Sequence, residues 1–348
     1  MLYPVPQNNM GPGAYGGQPY RPPFAGSPWQ GDPYAQDLAR ARFSETKLMR
    51  RRCSWAAWAV LLTILFMNVV AAALVTLVPS TTSSPAYYFI VSFSYVVSFA
   101  LGALLLARAL HMPLQAALPM QRLPVLTAVS AVFVGAALCN VTNYPTNLVS
   151  LLLESLGLSG TAPSYTVDSS PLSCGLLLLS TCVIPALVEE FLFRGVILRS
   201  LMRFGAGTAI LISAFLFALM HGNVAQIVFA FPLGVLFALF VVRTGNIWIT
   251  IAIHFLNSLF SSLYLVIEAA AGMDAVNVYS MLFPPILWVL GIAGLLYLLL
   301  RSRGTFFRLP AAPALLTPGQ KGSALFGNPG MILFLCFTAV SCALYLVS

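Results

Sequence analysis

Five side chains in apolar segments of this chain could do chemistry together. The segment "VEEFLFR" carries Glu189, Glu190 and Arg194. The segment "FALMH" ends with His221, and the segment "HFLNS" begins with His254. A charged side chain at the centre of a membrane span costs on the order of 3 kcal/mol. The three charged groups of the first segment therefore need partners or a hydrated cavity, and the sequence predicts a functional site at membrane depth.

The two glutamates differ in their neighbours along a helix. Arg194 lies four residues after Glu190, a spacing that places both on one helix face, and a carboxylate held by a guanidinium stays ionised. Glu189 has no such cation, so it is predicted to be the general base that takes a proton from water. The alternative interpretation is an ion-paired helix end whose Arg194 side chain reaches toward the membrane boundary.

The two histidines bring metal chemistry into consideration. Neutral imidazoles of His221 and His254 with one carboxylate form the three-ligand set of a catalytic zinc that keeps an open position for water. The same residues could act without a metal, with Glu189 activating the water and the imidazoles stabilising the oxyanion. Neither HExxH nor HxxEH occurs in the chain, so a zinc site would have to be assembled from separate helices.

Helical spacing places further side chains beside the histidines. Phe217 precedes His221 by four residues, and Asn257 and Ser258 follow His254 by three and four, so each group shares a helix face. Counted from the predicted cytoplasmic ends of their apolar runs, His254 lies about 10 Å deep and His221 about 20 Å deep. The sequence therefore predicts that these helices tilt or that one begins deeper in the membrane.

The composition indicates the elements that must position these residues. Of 348 residues, 59% are hydrophobic and 7% are charged, against roughly 25% charged in a soluble domain. Apolar runs of spanning length are predicted to be helices, because a helix satisfies its own backbone hydrogen bonds in lipid. We predict an all-α polytopic membrane protein, a bundle of about 8–9 transmembrane helices, from apolar runs at 55–78, 87–107, 124–141, 172–193, 208–221, 224–242, 247–267, 277–300 and 330–347.

The distribution of basic residues predicts the orientation. If the amino terminus is cytoplasmic and every run crosses, the loops with Lys and Arg all lie on the cytoplasmic side, as the positive-inside rule requires. We expect a multi-pass protein of the cell membrane. The basic residues border apolar runs and form no stripe with interleaved aromatics, so no nucleic-acid partner is expected.

The chain divides into two parts by composition. Residues 1–45 are rich in Pro, Gly and Tyr and are predicted to be a disordered cytoplasmic tail. Residues 46–348 are predicted to be the membrane domain. The six cysteines occur singly inside or beside apolar runs, which argues against a disulfide framework and a cysteine zinc site.

These motifs together resemble a known family. "EEFLFR" matches EExxxR, "FALMH" matches FxxxH and "HFLNS" partly matches HxxxN, the three linked motifs of the CAAX protease and bacteriocin-processing family, also called the Abi family. These intramembrane proteases include the type II CAAX prenyl endopeptidases. The resemblance covers about residues 171–268. It departs from the family at the last position, where Ser258 replaces the family's asparagine and Asn257 lies one residue earlier.

The resemblance implies an intramembrane endopeptidase that cleaves a membrane-associated peptide or protein within the lipid bilayer. Glu189 would be the water-activating glutamate, Glu190 and Arg194 the second carboxylate and its arginine, and His221 and His254 the family's two histidines. A zinc ion is a possible cofactor, held by the two histidines. Two other classes stay open: a non-catalytic immunity or scaffolding protein on the same fold, and a proton-coupled transporter, for which intramembrane ionisable residues are also typical.

Overall fold

The computed structural model describes residues 33–77, 85–160, 165–309 and 315–347. The all-α prediction is confirmed in these ranges, whose regular elements are helices apart from one isolated bridge between Met120 and Asn246. The α-helices in chain order are α1 Pro33–Leu77, α2 Pro85–Ala109, α3 Leu114–Ala117, α4 Val125–Val141, α5 Asn143–Ser155, α6 Pro171–Leu178, α7 Ile184–Glu190, α8 Leu198–Leu201, α9 Ala206–Leu219, α10 Val224–Thr244, α11 Ile247–Arg301, α12 Pro318–Phe326 and α13 Pro329–Leu346.

The helices account for the predicted membrane spans. Among the described residues, 7 helical stretches are long and apolar enough to cross a membrane, and α9 is a shorter apolar helix. The 55-residue α11 contains two of the predicted runs, 247–267 and 277–300. The nine predicted runs thus all correspond to helices, and the protein is a multi-pass membrane protein. The direction of crossing, with a cytoplasmic amino terminus, stays a prediction.

Helix α11 is a hairpin of two spans. Gly272 has φ 79° and ψ −179°, which is not a helical conformation and is one that glycine adopts far more readily than other residues. The rings of Phe260 and Phe283 have centroids 4.0 Å apart, and the Tyr279 hydroxyl donates to the Phe260 carbonyl oxygen at 3.0 Å. A straight helix would separate residues 260 and 283 by about 34 Å, so the chain reverses at Gly272.

The amino-terminal segment differs from the prediction. Residues 1–32 of the predicted tail lie outside the described residues, but residues 33–45 form the first turns of α1. This segment is dense in Ala, Arg, Leu and Gln, which are strong helix formers, and it packs on other elements. Glu45 accepts two hydrogen bonds from Arg203 at 2.9 Å each, and Arg42 Nε donates to the Leu315 carbonyl oxygen at 3.2 Å. The prediction of disorder does not hold for these residues.

Helix packing fixes the position of the histidine on α11. Helix α11 lies against α4. In its first half, the Ile253 side chain fills the space beside Gly135 that a side chain at position 135 would need. Small residues at such contacts let transmembrane helices approach closely. Ile253 is fully buried and His254 nearly so, so the imidazole points into the helix bundle.

Candidate active site

The central stretch from α6 to α8 holds both glutamates. Helix α7 ends at Glu190 and is flanked by two π-helical segments, Leu179–Val183 and Phe191–Ile197. Pro185 at the start of α7 has no N–H to close a regular turn, and π segments inside helices are frequent at functional sites. Glu189 is 4% exposed and Glu190 is 0% exposed, so both carboxylates lie inside the protein.

Arg194 and Glu190 form a fully buried ion pair. The Arg194 Nη1 donates to Glu190 Oε1 at 2.8 Å, and both side chains are 0% exposed. The i,i+4 spacing predicts that these two side chains pair, and the structure places them together. Arg194 does not reach toward a membrane boundary, so the alternative of a snorkelling helix end does not describe this arginine.

Aromatic rings enclose the guanidinium. The Arg194 guanidinium carbon lies 4.3 Å from the centroid of the Phe217 ring, 5.0 Å from Phe237 and 5.9 Å from Phe193. Each ring face attracts the cation. The predicted supporting residue Phe217 therefore lies inside the site, where it contacts the arginine as well as the histidines.

A glycine on α10 supplies a further hydrogen-bond acceptor to Arg194. Arg194 Nη2 donates to the Gly234 carbonyl oxygen at 3.3 Å. A Cβ atom at position 234 would lie 2.8 Å from the Ala214 Cα on α9, a separation that real structures do not allow. Only glycine lets α9 and α10 approach this closely, and that approach fixes where the Gly234 carbonyl meets the guanidinium.

His254 lies between the two glutamates. Its Nδ1 is 3.1 Å from Glu190 Oε1 and its Nε2 is 3.9 Å from Glu189 Oε2. Because Glu190 is paired with Arg194, it is a hydrogen-bond acceptor, which assigns the proton to Nδ1 of the neutral imidazole. The Phe237 ring stacks on the imidazole with centroids 5.1 Å apart. The lone pair of Nε2 then faces Glu189.

His221 joins the site from the end of α9. Helix α9 ends at Leu219, and the chain turns at Gly222, where φ is 61°. His221 Nδ1 is 2.9 Å from the Phe217 carbonyl oxygen, which can only accept, so the Nε2 lone pair is free. The Phe217 ring lies 5.3 Å from the His221 ring and 6.1 Å from the His254 ring. The structure thus brings both histidines to one ring despite their different predicted depths.

Tyr95 on α2 was not predicted to belong to the site. Its hydroxyl donates to Glu189 Oε1, and its ring stacks on Phe99 with centroids 4.5 Å apart. Glu189 therefore has two neighbours, Tyr95 and His254, where the sequence predicted none. A buried tyrosine hydroxyl usually requires a partner, and this was the only signal that the sequence offered for Tyr95.

The two residues after His254 lie apart from the carboxylates. Asn257 lines a polar cavity of 590 Å³ together with Asn140, Asn143 and Asn147, and neither glutamate of the pair lines it. Ser258 is half-buried. Within the described ranges, neither residue hydrogen-bonds to Glu189 or Glu190. The structure therefore does not bring these two predicted supporting residues to the reacting groups.

The donor types suit zinc, but their arrangement does not. Each histidine donates Nδ1–H to an oxygen and keeps Nε2 free, the pattern typical of imidazoles that bind metals. However, in the described part of the chain no group of three or more His, Cys, Asp or Glu side chains is placed to hold a metal ion. Zinc therefore stays a prediction from the sequence.

One comparison with known proteins covers the region of this site. Residues 171–260 match the family model described as type II CAAX prenyl endopeptidase Rce1-like. The matched range contains Glu189, Glu190, Arg194, His221 and His254, while Tyr95 lies outside it. A search of curated proteins and a search of solved structures found no match to the chain.

Proposed function

Because residues 171–260 carry the type II CAAX prenyl endopeptidase Rce1-like match, we propose that this membrane protein is an intramembrane endopeptidase that hydrolyses a peptide bond of a membrane-associated protein or peptide. The observation that carries the proposal is the buried chain of contacts from Arg194 through Glu190 and His254 to Glu189. Ion pairing alone would need only Arg194 and Glu190. The second carboxylate beside an imidazole has no structural reason to lie in an apolar bundle.

Glu189 is the proposed general base. The 3.9 Å between Glu189 Oε2 and His254 Nε2 is too long for a direct hydrogen bond and suits a water that both groups contact. Glu189 takes one proton from this water as the water oxygen attacks the carbonyl carbon of the substrate. The proton then passes to the leaving nitrogen as the C–N bond breaks, which releases an amine and a carboxylic acid that loses the second water proton to solvent.

The other residues position these reacting groups. Arg194 pairs with Glu190, and Glu190 fixes the tautomer and the ring orientation of His254, so the Nε2 lone pair faces the water. Tyr95 holds one oxygen of Glu189 and leaves Oε2 for proton transfer. His221 contacts the Phe217 ring, and its Nδ1 bond to the Phe217 carbonyl oxygen leaves its own Nε2 available to the site.

Glu189→Gln is expected to abolish proteolysis in membranes while leaving protein level unchanged, because the amide keeps the shape of the side chain but cannot take a proton. The measurement compares new peptide termini in membranes from cells that contain the wild-type protein or the variant. Glu154→Gln, at an exposed position on α5, is the matched control and should retain every terminus. Identical termini in all three samples, with normal expression, would reject the protease in favour of a non-catalytic membrane protein.

Tyr95→Phe is expected to reduce cleavage by about tenfold, since it removes one hydrogen bond worth roughly 1.5 kcal/mol to a charged group. The stacking on Phe99 is preserved, so the melting temperature should change little. The assay uses a substrate identified by its Glu189-dependent terminus and compares kcat with KM. A loss confined to KM would show that Tyr95 contacts substrate and does not position Glu189.

A further inference from the structure

A groove lies between the first turns of α1 and helix α12, and neither Glu189 nor Glu190 lines it. Its volume is 940 Å³. One face of α1 supplies Arg42, Lys47 and Arg50, and α12 supplies Gln320 and Ser323. We call these five residues and the space between them the basic groove.

The positive charge of the basic groove is not balanced by nearby acids of the described chain. Its lining includes three cations and no carboxylate. The acidic residues of this part of α1 have other contacts: Glu45 pairs with Arg203 at 2.9 Å, and Asp37 lies 4.0 Å from Arg40. Glu45 is thus engaged outside the groove, and the groove attracts an anion.

The depth of the groove matches the lipid headgroups. Arg50 precedes Trp55, where the first apolar run begins, by five residues or about 7.5 Å of helix. The headgroup layer on each side of a bilayer is about 5–7.5 Å thick, so the Arg50 backbone lies at its outer edge and the long side chain can extend back into it. Lys47 lies one turn further out, on the same helix face, and its long side chain is exposed and can extend back toward the membrane. Arg42 is further away, and its Nε bonds to the Leu315 carbonyl oxygen.

Helix α12 leaves room for a ligand and supplies hydrogen-bonding groups. Arg50 Nη2 donates to Ser323 Oγ at 3.3 Å, which keeps the guanidinium over the groove. A Cβ atom added at Gly319, which also lines the groove, would meet no atom within 4 Å. The space beside the cations is therefore open.

We propose that the basic groove binds the headgroup phosphate of an anionic phospholipid, with Lys47 and Arg50 as its cationic ligands. Basic side chains at the end of a span attract anionic lipids, and a guanidinium and an ammonium are strong donors to phosphate oxygens. Ser323 and Gln320 offer further hydrogen bonds to a glycerol or sugar alcohol of the headgroup. This site is independent of the proposed peptidase activity.

The test titrates the full-length protein in a nonionic detergent with phosphatidylglycerol, and in parallel with phosphatidylcholine of the same chains. The melting temperature is the readout. Phosphatidylglycerol is expected to raise it in a saturable manner and phosphatidylcholine is not. Lys47→Gln with Arg50→Gln should raise the half-maximal lipid concentration about thirtyfold, as expected for the loss of two cations near the lipid.

The matched control is Arg40→Gln with Arg51→Gln, which removes the same charge from the same helix at positions that do not line the groove. It should keep most of the affinity, and an equal loss in both double variants would overturn the proposal, because the attraction would then be unspecific. A similar rise with glycerophosphoglycerol or inorganic phosphate would also overturn it, since a soluble anion would then suffice. Gly319→Leu fills the open space without a change of charge, and an unaltered lipid response in this variant would contradict the proposed position of the headgroup.

Discussion

Arg194→Leu is expected to lower the free energy of unfolding by about 3–5 kcal/mol, because it leaves the Glu190 carboxylate buried without its cation. Both side chains are 0% exposed, and their contact is 2.8 Å long, so bulk water does not reach the carboxylate to replace the lost cation. Thermal unfolding in detergent and protein level in membranes measure the loss. Arg199→Leu, five residues later and exposed, is the control and should cost less than about 1 kcal/mol.

The double variant Glu190→Leu with Arg194→Leu should recover stability better than either single variant, because two apolar side chains replace a desolvated pair. Activity should not return with stability. Glu190 also bonds to His254 at 3.1 Å, so the imidazole loses its orientation even in a stable protein. Equal destabilisation in all three variants would mean that the two residues do not act as a pair.

His221→Ala and His254→Ala are each expected to lower the cleavage rate by about 10²–10⁴-fold, the range for loss of a positioned proton-transfer or polarising group. The third histidine, His111, lies in the turn after α2, and His111→Ala should retain full activity. The assay again uses a substrate found by its Glu189-dependent terminus. Full activity in either of the first two variants would remove that histidine from the site.

The zinc content of the same preparations separates the two forms of the mechanism. Elemental analysis of wild-type protein and the three histidine variants, followed by chelator treatment and zinc restoration, measures whether metal and activity are lost together. Joint loss in the His221 and His254 variants, but not in the His111 variant, would support a zinc-bound water and require the ligands to move closer than in this structure. A zinc content near zero in fully active protein would leave Glu189 as the activator of the water.

The sequence predicted the residues whose presence in lipid has a large cost. Glu189, Glu190 and Arg194 stand out in an apolar run because charges are rare there, and the i,i+4 spacing predicted the buried pair. The spans were predictable for the same reason, since apolar length alone identifies a membrane helix. Local helical spacing was a partial guide: Glu190 and Arg194 meet as their spacing predicted, whereas Asn257 and Ser258, predicted from the same kind of spacing, lie apart from the carboxylates.

The parts that were missed depend on contacts between helices. Tyr95 is compatible with an apolar run, so nothing in its segment shows that its hydroxyl meets Glu189 on another helix. The rings around Arg194 come from three elements, and hydropathy does not reveal which face of each helix is turned inward. The π segments beside α7 change the hydrogen-bond register without changing composition. Residues 33–45 were assigned to the tail because their low hydrophobicity concealed a packed helix.

Because the chain reverses at the single residue Gly272, a shift of one half of α11 is transmitted directly to the other half. A long loop between two spans would absorb small shifts of either one, whereas here the backbone conformation of one glycine sets both the distance and the angle between them. The rings of Phe260 and Phe283, one on each half of α11, are in contact and hold the two halves together. His254 lies on the first half of α11, about 27 Å of helix before Gly272. We therefore expect a change in the backbone at Gly272 to shift the imidazole relative to Glu190, although Gly272 contacts neither glutamate.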